Sequence, residues 1–193
     1  MRKQLGMTLA EMIIAIVLMG IAMVAFTSFL VPQIRDSAMP HYQTRATALG
    51  QSFMSQILAR GFDENSDSDG GLVRCGEGTT GSKQEVCTSP SDLGSDVGEN
   101  IPENFNDVDD YIGCWSTPTT AGQCQGTNRG NISDILGTSS EDKYRNFRVE
   151  VGVAYDNLTA TPPTGITNYK KVTITIFASN AQPLTLTAIR GNY

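Results

Sequence analysis

The sequence predicts an α+β fold in which a long N-terminal helix, transmembrane in its first half and amphipathic in its second, packs on a small antiparallel C-terminal sheet. Three observations predict it: an uncharged apolar run over residues 12–31, a three-and-four spacing of apolar residues that continues to position 58, and period-two alternation after residue 144. The chain has 193 residues, which allows one domain plus an extended appendage.

The apolar run reads MIIAIVLMGIAMVAFTSFLV, and a helix of that length spans roughly 30 Å, one hydrocarbon thickness. Arg2 and Lys3 precede it with no acid between, so the positive-inside bias puts the N-terminus in the cytoplasm and everything after residue 31 outside. An ordinary secretory signal has only about 7–15 apolar residues before a small-residue cleavage site. Here the run is longer, and PQIRDSAMP follows without such a site. Glu11 also separates this segment from a plain signal-anchor, because a carboxylate at the head of an apolar helix is costly to bury and marks a partner. If the chain were cut between Gly6 and Met7, the new α-amino group would precede Glu11 by four residues on the same helical face. Pairing within the chain and pairing with a neighbouring subunit's amine both fit.

Ile34, Ala38, Tyr42, Ala46, Leu49, Phe53 and Ile57 continue the helical spacing, with Met54 and Leu58 widening the stripe. The helix is expected to reach Arg60 and stop at Gly61. Pro32 and Pro40 each remove a donor, which predicts a bend or local melting at each. Toward the C-terminus, Phe147, Val149, Val151, Val153 and Tyr155 share one strand face, and Lys171 to Ile176 alternates as well. The run Leu184 to Thr187 follows Pro183, and Thr161 to Gly165 is a turn. Together these predict a three-stranded meander with its apolar face on the helix stripe.

Between helix and strands, residues 62–143 are polar and rich in Gly and Ser, too long for a featureless loop. Short elements and disulfides must organise them. Cys75, Cys87, Cys114 and Cys124 match no zinc spacing and allow three connectivities, of which nearest-neighbour pairing closes two short loops. Disulfides imply an oxidising compartment. Residues 63–110 hold 13 of the 20 acids against only Arg74 and Lys83, a balance that repels nucleic acid. The small basic groups, such as Lys170 and Lys171, lie among strand residues and make no patch.

Asn65, Asp67 and Asp69 space oxygen ligands at alternate positions as calcium loops do, but Gly76 stands where the bidentate acid belongs, so a solvated loop is the preferred reading. Asn104 to Tyr111 places Phe105, Val108 and Tyr111 three apart with carboxylates between, which reads as a short amphipathic turn anchored on the core. His41 is the only histidine and has no orienting acid in an identifiable constellation, so no enzyme and no cofactor is expected.

The sequence Gly6-Met7-Thr8-Leu9-Ala10-Glu11 ahead of the apolar run resembles the type IV prepilin signature, with Met7 in place of the usual Phe and Ala10 in place of a larger aliphatic residue. The resemblance implies removal of a leader (1–6) by a prepilin peptidase, N-methylation of Met7, and use of Glu11 to register subunits in a growing filament. It also implies an assembly helix (7–31), an amphipathic helix (32–61) and a globular domain (62–193), with a disulfide-containing loop region (62–143) before the strands (144–193). Implied partners are other pilin subunits through the N-terminal helix, an inner-membrane assembly platform, and the bilayer before assembly. The chain is then expected in the bacterial inner membrane first and in an extracellular pilus afterwards. Gly61 to Glu64, Asn104 to Tyr111 and Pro183 to Thr187 further resemble the D-type minor pilins of mannose-sensitive haemagglutinin (MSHA) pili. A minor pilin acting in assembly and surface attachment is the leading expectation. A type II secretion pseudopilin is the alternative, and a DNA-binding competence pilin is disfavoured by the acidic middle.

Overall fold

The computed structural model describes residues 8–67, 73–140 and 142–193, with the backbone alone at 34–38. The chain divides into two compact units, 1–41 and 42–193.

Helix α1, Leu9–Leu58, is unbroken through Pro32 and Pro40. The local melting expected at the prolines therefore does not occur. Each proline removes one donor, and the turns on either side keep theirs. The helix ends two residues earlier than expected, and Arg60 N–H donates to Ile57 O (3.0 Å) in a tighter last turn. Gly61 is not a left-handed cap. It forms a parallel bridge with Asp107, its N–H donating to Asn106 O (2.9 Å) and its carbonyl accepting from Val108 N–H (3.2 Å).

In the larger unit the predicted meander is present as β3 (Phe147–Asp156), β4 (Tyr169–Ala178) and β5 (Leu184–Gly191). Two strands missed in the sequence extend it: β1 (Gly113–Ser116) pairs antiparallel with β3, and β2 (Asn128–Asn131) pairs parallel with β1, giving the order β2-β1-β3-β4-β5. Register places Val149 opposite Ile176, Val151 opposite Ile174, and Ile174 in turn opposite Leu186. The apolar positions of three strands therefore lie in rows on one face.

That face meets the second half of α1. Ala46, Leu49, Phe53 and Ile57 are buried in one cluster with Val149, Val172, Ile174 and Ile176, and each fully buried large side chain stabilises by roughly 1.5–3 kcal/mol. A Cβ on Gly50 would come within 2.6 Å of Leu186 Cδ1 and 2.7 Å of Ile176 Cδ1, so the small residue sets how closely helix and sheet approach. Phe105, Tyr111 and Trp115 close one end of the core, with Phe105 edge-on to Tyr111 at 4.9 Å and Trp115 Nε1 donating to Tyr111 O (3.0 Å).

The loop region is organised by short elements and cross-links. Helix α2 (Ile132–Leu136) starts in a capping box, where Asn131 accepts from Ser133 N–H and Asp134 accepts from Asn131 N–H. Disulfides join Cys75 to Cys87 and Cys114 to Cys124, the nearest-neighbour pairing. Closing a loop this short in the unfolded chain stabilises by about 2–3 kcal/mol. Replacing Cys114 and Cys124 together with Ser is therefore expected to lower the unfolding free energy by about that amount, read from urea denaturation of the full chain in detergent.

Candidate functional site

Two groups of residues stand apart from ordinary packing. The first is the start of α1. The stretch Leu9–Gln33 is long and apolar enough to cross a membrane, and its most apolar 18 residues have a mean hydropathy of 2.6 with none of them buried. Leu9 is 80% exposed and Phe26 66%. An apolar surface of this extent is not stable in water and calls for lipid or other apolar helices. Its hydroxyls are satisfied internally, Thr27 donating to Met23 O (2.9 Å) and Ser28 to Ala25 O (2.9 Å).

Thr8 and Glu11 form a capping box at its head. Glu11 Oε2 accepts from Thr8 N–H (3.3 Å), and Thr8 Oγ1 accepts from Glu11 N–H (3.4 Å). The T-x-x-E spacing that signals this box is plain in the sequence, whereas charge alone marks Glu11 only as a carboxylate in want of a partner. A carboxylate has about four lone-pair sites, so the cap leaves room for an amine as well. A cut before Met7 would leave the box whole. Arg2, Lys3, Gly6 and Met7 lie outside the described residues.

The second group lies inside the larger unit. The amphipathic turn predicted at Asn104–Tyr111 does bury Phe105, Val108 and Tyr111, but Asp107, Asp109 and Asp110 are buried with them. Of these, Asp109 meets Lys170, which shares the buried face of β4 with Val172 and Ile174 and lies opposite Tyr155. Lys170 Nζ stands 2.6 Å from Asp109 Oδ1 and 3.0 Å from Asp63 Oδ2, with all three side chains at most 1% exposed. Asp63 also accepts from Thr88 N–H (3.1 Å) and Tyr155 O–H (3.3 Å). The rings of Phe62 and Tyr155 lie 4.9 and 5.5 Å from Nζ.

Burial alone would lower the Lys170 pKa, but the carboxylates of Asp109, Asp63 and Asp107 overcome it and raise it. Burial likewise works to raise Asp63, and the Lys170 ammonium more than offsets this and holds it low. Among the described residues, Asp107 has no such cation in salt-bridge contact. Burial, then the charge of Asp109, pushes it up to about 9. Asp110 rises to about 7 through burial and its hydrogen bond with Glu99.

These directions fix how stability depends on pH. Asp107 and Asp110, raised above the ordinary carboxylate value of 3.8, contribute stability that is complete only below that value and is lost as pH climbs from there toward 7 and then 9. Asp63, lowered, contributes in the opposite sense, with stability lost only as pH falls below the usual carboxylate range. Thermal melts of the full chain in detergent are therefore expected to show a falling Tm between pH 5 and 9. Asp107→Asn is expected to flatten that slope, and an unchanged slope would contradict this account.

Asp63 also lies near both sulfurs of the Cys75–Cys87 disulfide, the three ligand atoms falling within 4.8 Å of one another. Sulfurs bonded to each other offer no thiolate, so this trio is not a metal centre. Of the suggested calcium ligands, Asn65 donates its side-chain amide to Val86 O (3.0 Å). Asp67 donates its backbone N–H to Val73 O (3.1 Å), and Asp69 lies outside the described residues.

Residues 1–27 match a family model described as the Prokaryotic N-terminal methylation motif. This match supports a type IV pilin or pseudopilin, families whose members are structural subunits. No curated protein and no solved structure matches the chain.

Proposed function

We propose that the chain is a minor type IV pilin, cleaved after Gly6 by a prepilin peptidase, N-methylated on Met7, and built into a pilus where it serves assembly and surface attachment. The observation that carries this reading is the exposed apolar stretch of α1, headed by Thr8 and Glu11 and beginning inside the matched N-terminal motif. Before assembly the stretch sits in the inner membrane with its N-terminus cytoplasmic. On assembly it exchanges lipid for the equivalent helices of other subunits, and Glu11 pairs with the methylated amine of a neighbour.

The acidic middle, with its two mid-chain disulfides, suits an accessory subunit such as the D-type minor pilins of MSHA pili, which the chain resembles at Gly61–Glu64, Asn104–Tyr111 and Pro183–Thr187. Mass spectrometry of the purified protein tests the processing: the expected N-terminus is N-methyl-Met7, and a mature chain retaining residues 1–6 overturns the claim. Deleting the gene while scoring surface pili and secreted enzymes separates the pilus from a secretion pseudopilus. Lost pili with intact secretion is the expected result, and lost secretion with intact pili overturns it.

A further inference from the structure

The buried lysine in the larger unit plays no part in the filament role, and its chemistry goes beyond it. We propose that Lys170 and Asp109 are the two ends of an intramolecular amide cross-link, formed by loss of water between the lysine amine and the aspartate carboxyl. The geometry is that of reactants held in contact: Nζ is 2.6 Å from Asp109 Oδ1, the two side chains are at most 1% exposed, and the residues are 61 apart in sequence. The surroundings exclude water, with the rings of Phe62 and Tyr155 packed about Nζ.

A third group completes the chemistry. Asp107 lies beside Asp109, its Oδ1 accepting from the Asp109 N–H (2.9 Å), and burial with the neighbouring Asp109 charge raises its pKa and favours its protonated form. It is therefore an acid placed beside the carboxyl group that must lose oxygen. Transfer of one proton from the Lys170 ammonium to Asp109 leaves a free amine beside a neutral acid. Nζ attacks Cγ and the N–Cγ bond forms. Asp107 gives its proton to the departing oxygen, the Cγ–O bond breaks and water leaves, and the nitrogen's surplus proton returns to Asp107. One ammonium and one carboxylate become one amide and one water, with nothing oxidised or reduced. The driving force is local: two charges that are costly to keep in a dry interior become a neutral amide. Asp63, 3.0 Å from Nζ, then accepts from the new amide N–H.

The cross-link would tie the Asp109–Tyr111 turn to β4, the strand between β3 and β5. Intact-mass spectrometry of the full chain in detergent, after complete reduction of the disulfides, is the test. The expected mass is lower than the processed sequence by one water. Tryptic digestion is expected to yield a branched species joining residues 84–129 to 149–171, uncleaved after Lys170. A chain at full mass, or cleavage after Lys170, overturns the proposal. A branch ending on Asp63 overturns the choice of Asp109. Lys170→Arg keeps the positive charge but cannot form the bond, so it is expected at full mass. A water loss that persists in that variant belongs to another site and overturns the proposal. Asp107→Asn is expected to abolish the branch, and full linkage in that variant removes Asp107 from the reaction.

Discussion

Replacing Lys170 with Met is expected to cost the fold about 3–5 kcal/mol, the largest loss foreseen for any single substitution in the larger unit. The side chain has no exposed surface and faces Asp109 at 2.6 Å and Asp63 at 3.0 Å, both buried with it. Methionine fills nearly the same volume, so little of the cost is packing. What is lost, in a chain that carries the ion pair and not the proposed cross-link, is the cation in contact with two carboxylates in a water-excluded site. Burying a charge without its partner is far worse than burying none. The same argument predicts a rescue: adding Asp63→Asn and Asp109→Asn to Lys170→Met is expected to recover much of the loss, because no net charge then remains to desolvate. Urea denaturation of the full chain in detergent measures both. A triple variant no more stable than Lys170→Met alone would mean that the cost is not that of unpaired charge, as would hold if what is lost is the proposed cross-link.

This cluster was half legible in the sequence. Strand β4 announced itself through the alternation of Val172, Ile174 and Ile176, and the parity of that pattern puts position 170 on the buried face as well. Read for charge instead of parity, Lys170 and Lys171 formed a small basic pair and nothing more. Only Lys171 behaves that way, half exposed and bridging Asp156 at 2.9 Å. The partners of Lys170 were harder to find. Phe105, Val108 and Tyr111 marked a turn resting on the core, but the carboxylates between them were expected in water. Asp109 is drawn inward by a cation 61 positions away, and local periodicity carries no information about so distant a partner.

The strands that escaped detection explain themselves in similar terms. Gly113–Ser116 and Asn128–Asn131 are four residues each, and neither alternates. The first is held by β3 on one side and by β2 on the other, so its conformation is set by tertiary pairing and not by its own sequence. The prolines show the converse error. Pro32 and Pro40 are strong local signals against helix, yet α1 carries both because long helical segments flank them.

The other large effect concerns Glu11, where two roles make opposite demands on a single substitution. As the N3 residue of a capping box, Glu11 holds the Thr8 N–H (3.3 Å), a task that Gln performs nearly as well. As the proposed counter-charge to a neighbour's N-terminal amine, it could not be replaced by Gln at all. Glu11→Gln and Glu11→Val are therefore both expected to lower the amount of the chain recovered in sheared surface filaments by on the order of a hundredfold, the effect of removing one member of a charge pair in apolar surroundings. Membrane insertion should move the other way, since a charge near the head of an apolar helix disfavours it and both variants remove that charge. Immunoblots of the membrane and sheared fractions read the two effects together. The expected pattern is a membrane pool equal to or larger than wild type with a nearly empty filament fraction. If Gln restores wild-type filaments while Val does not, capping alone explains Glu11, and the proposed pairing between subunits fails.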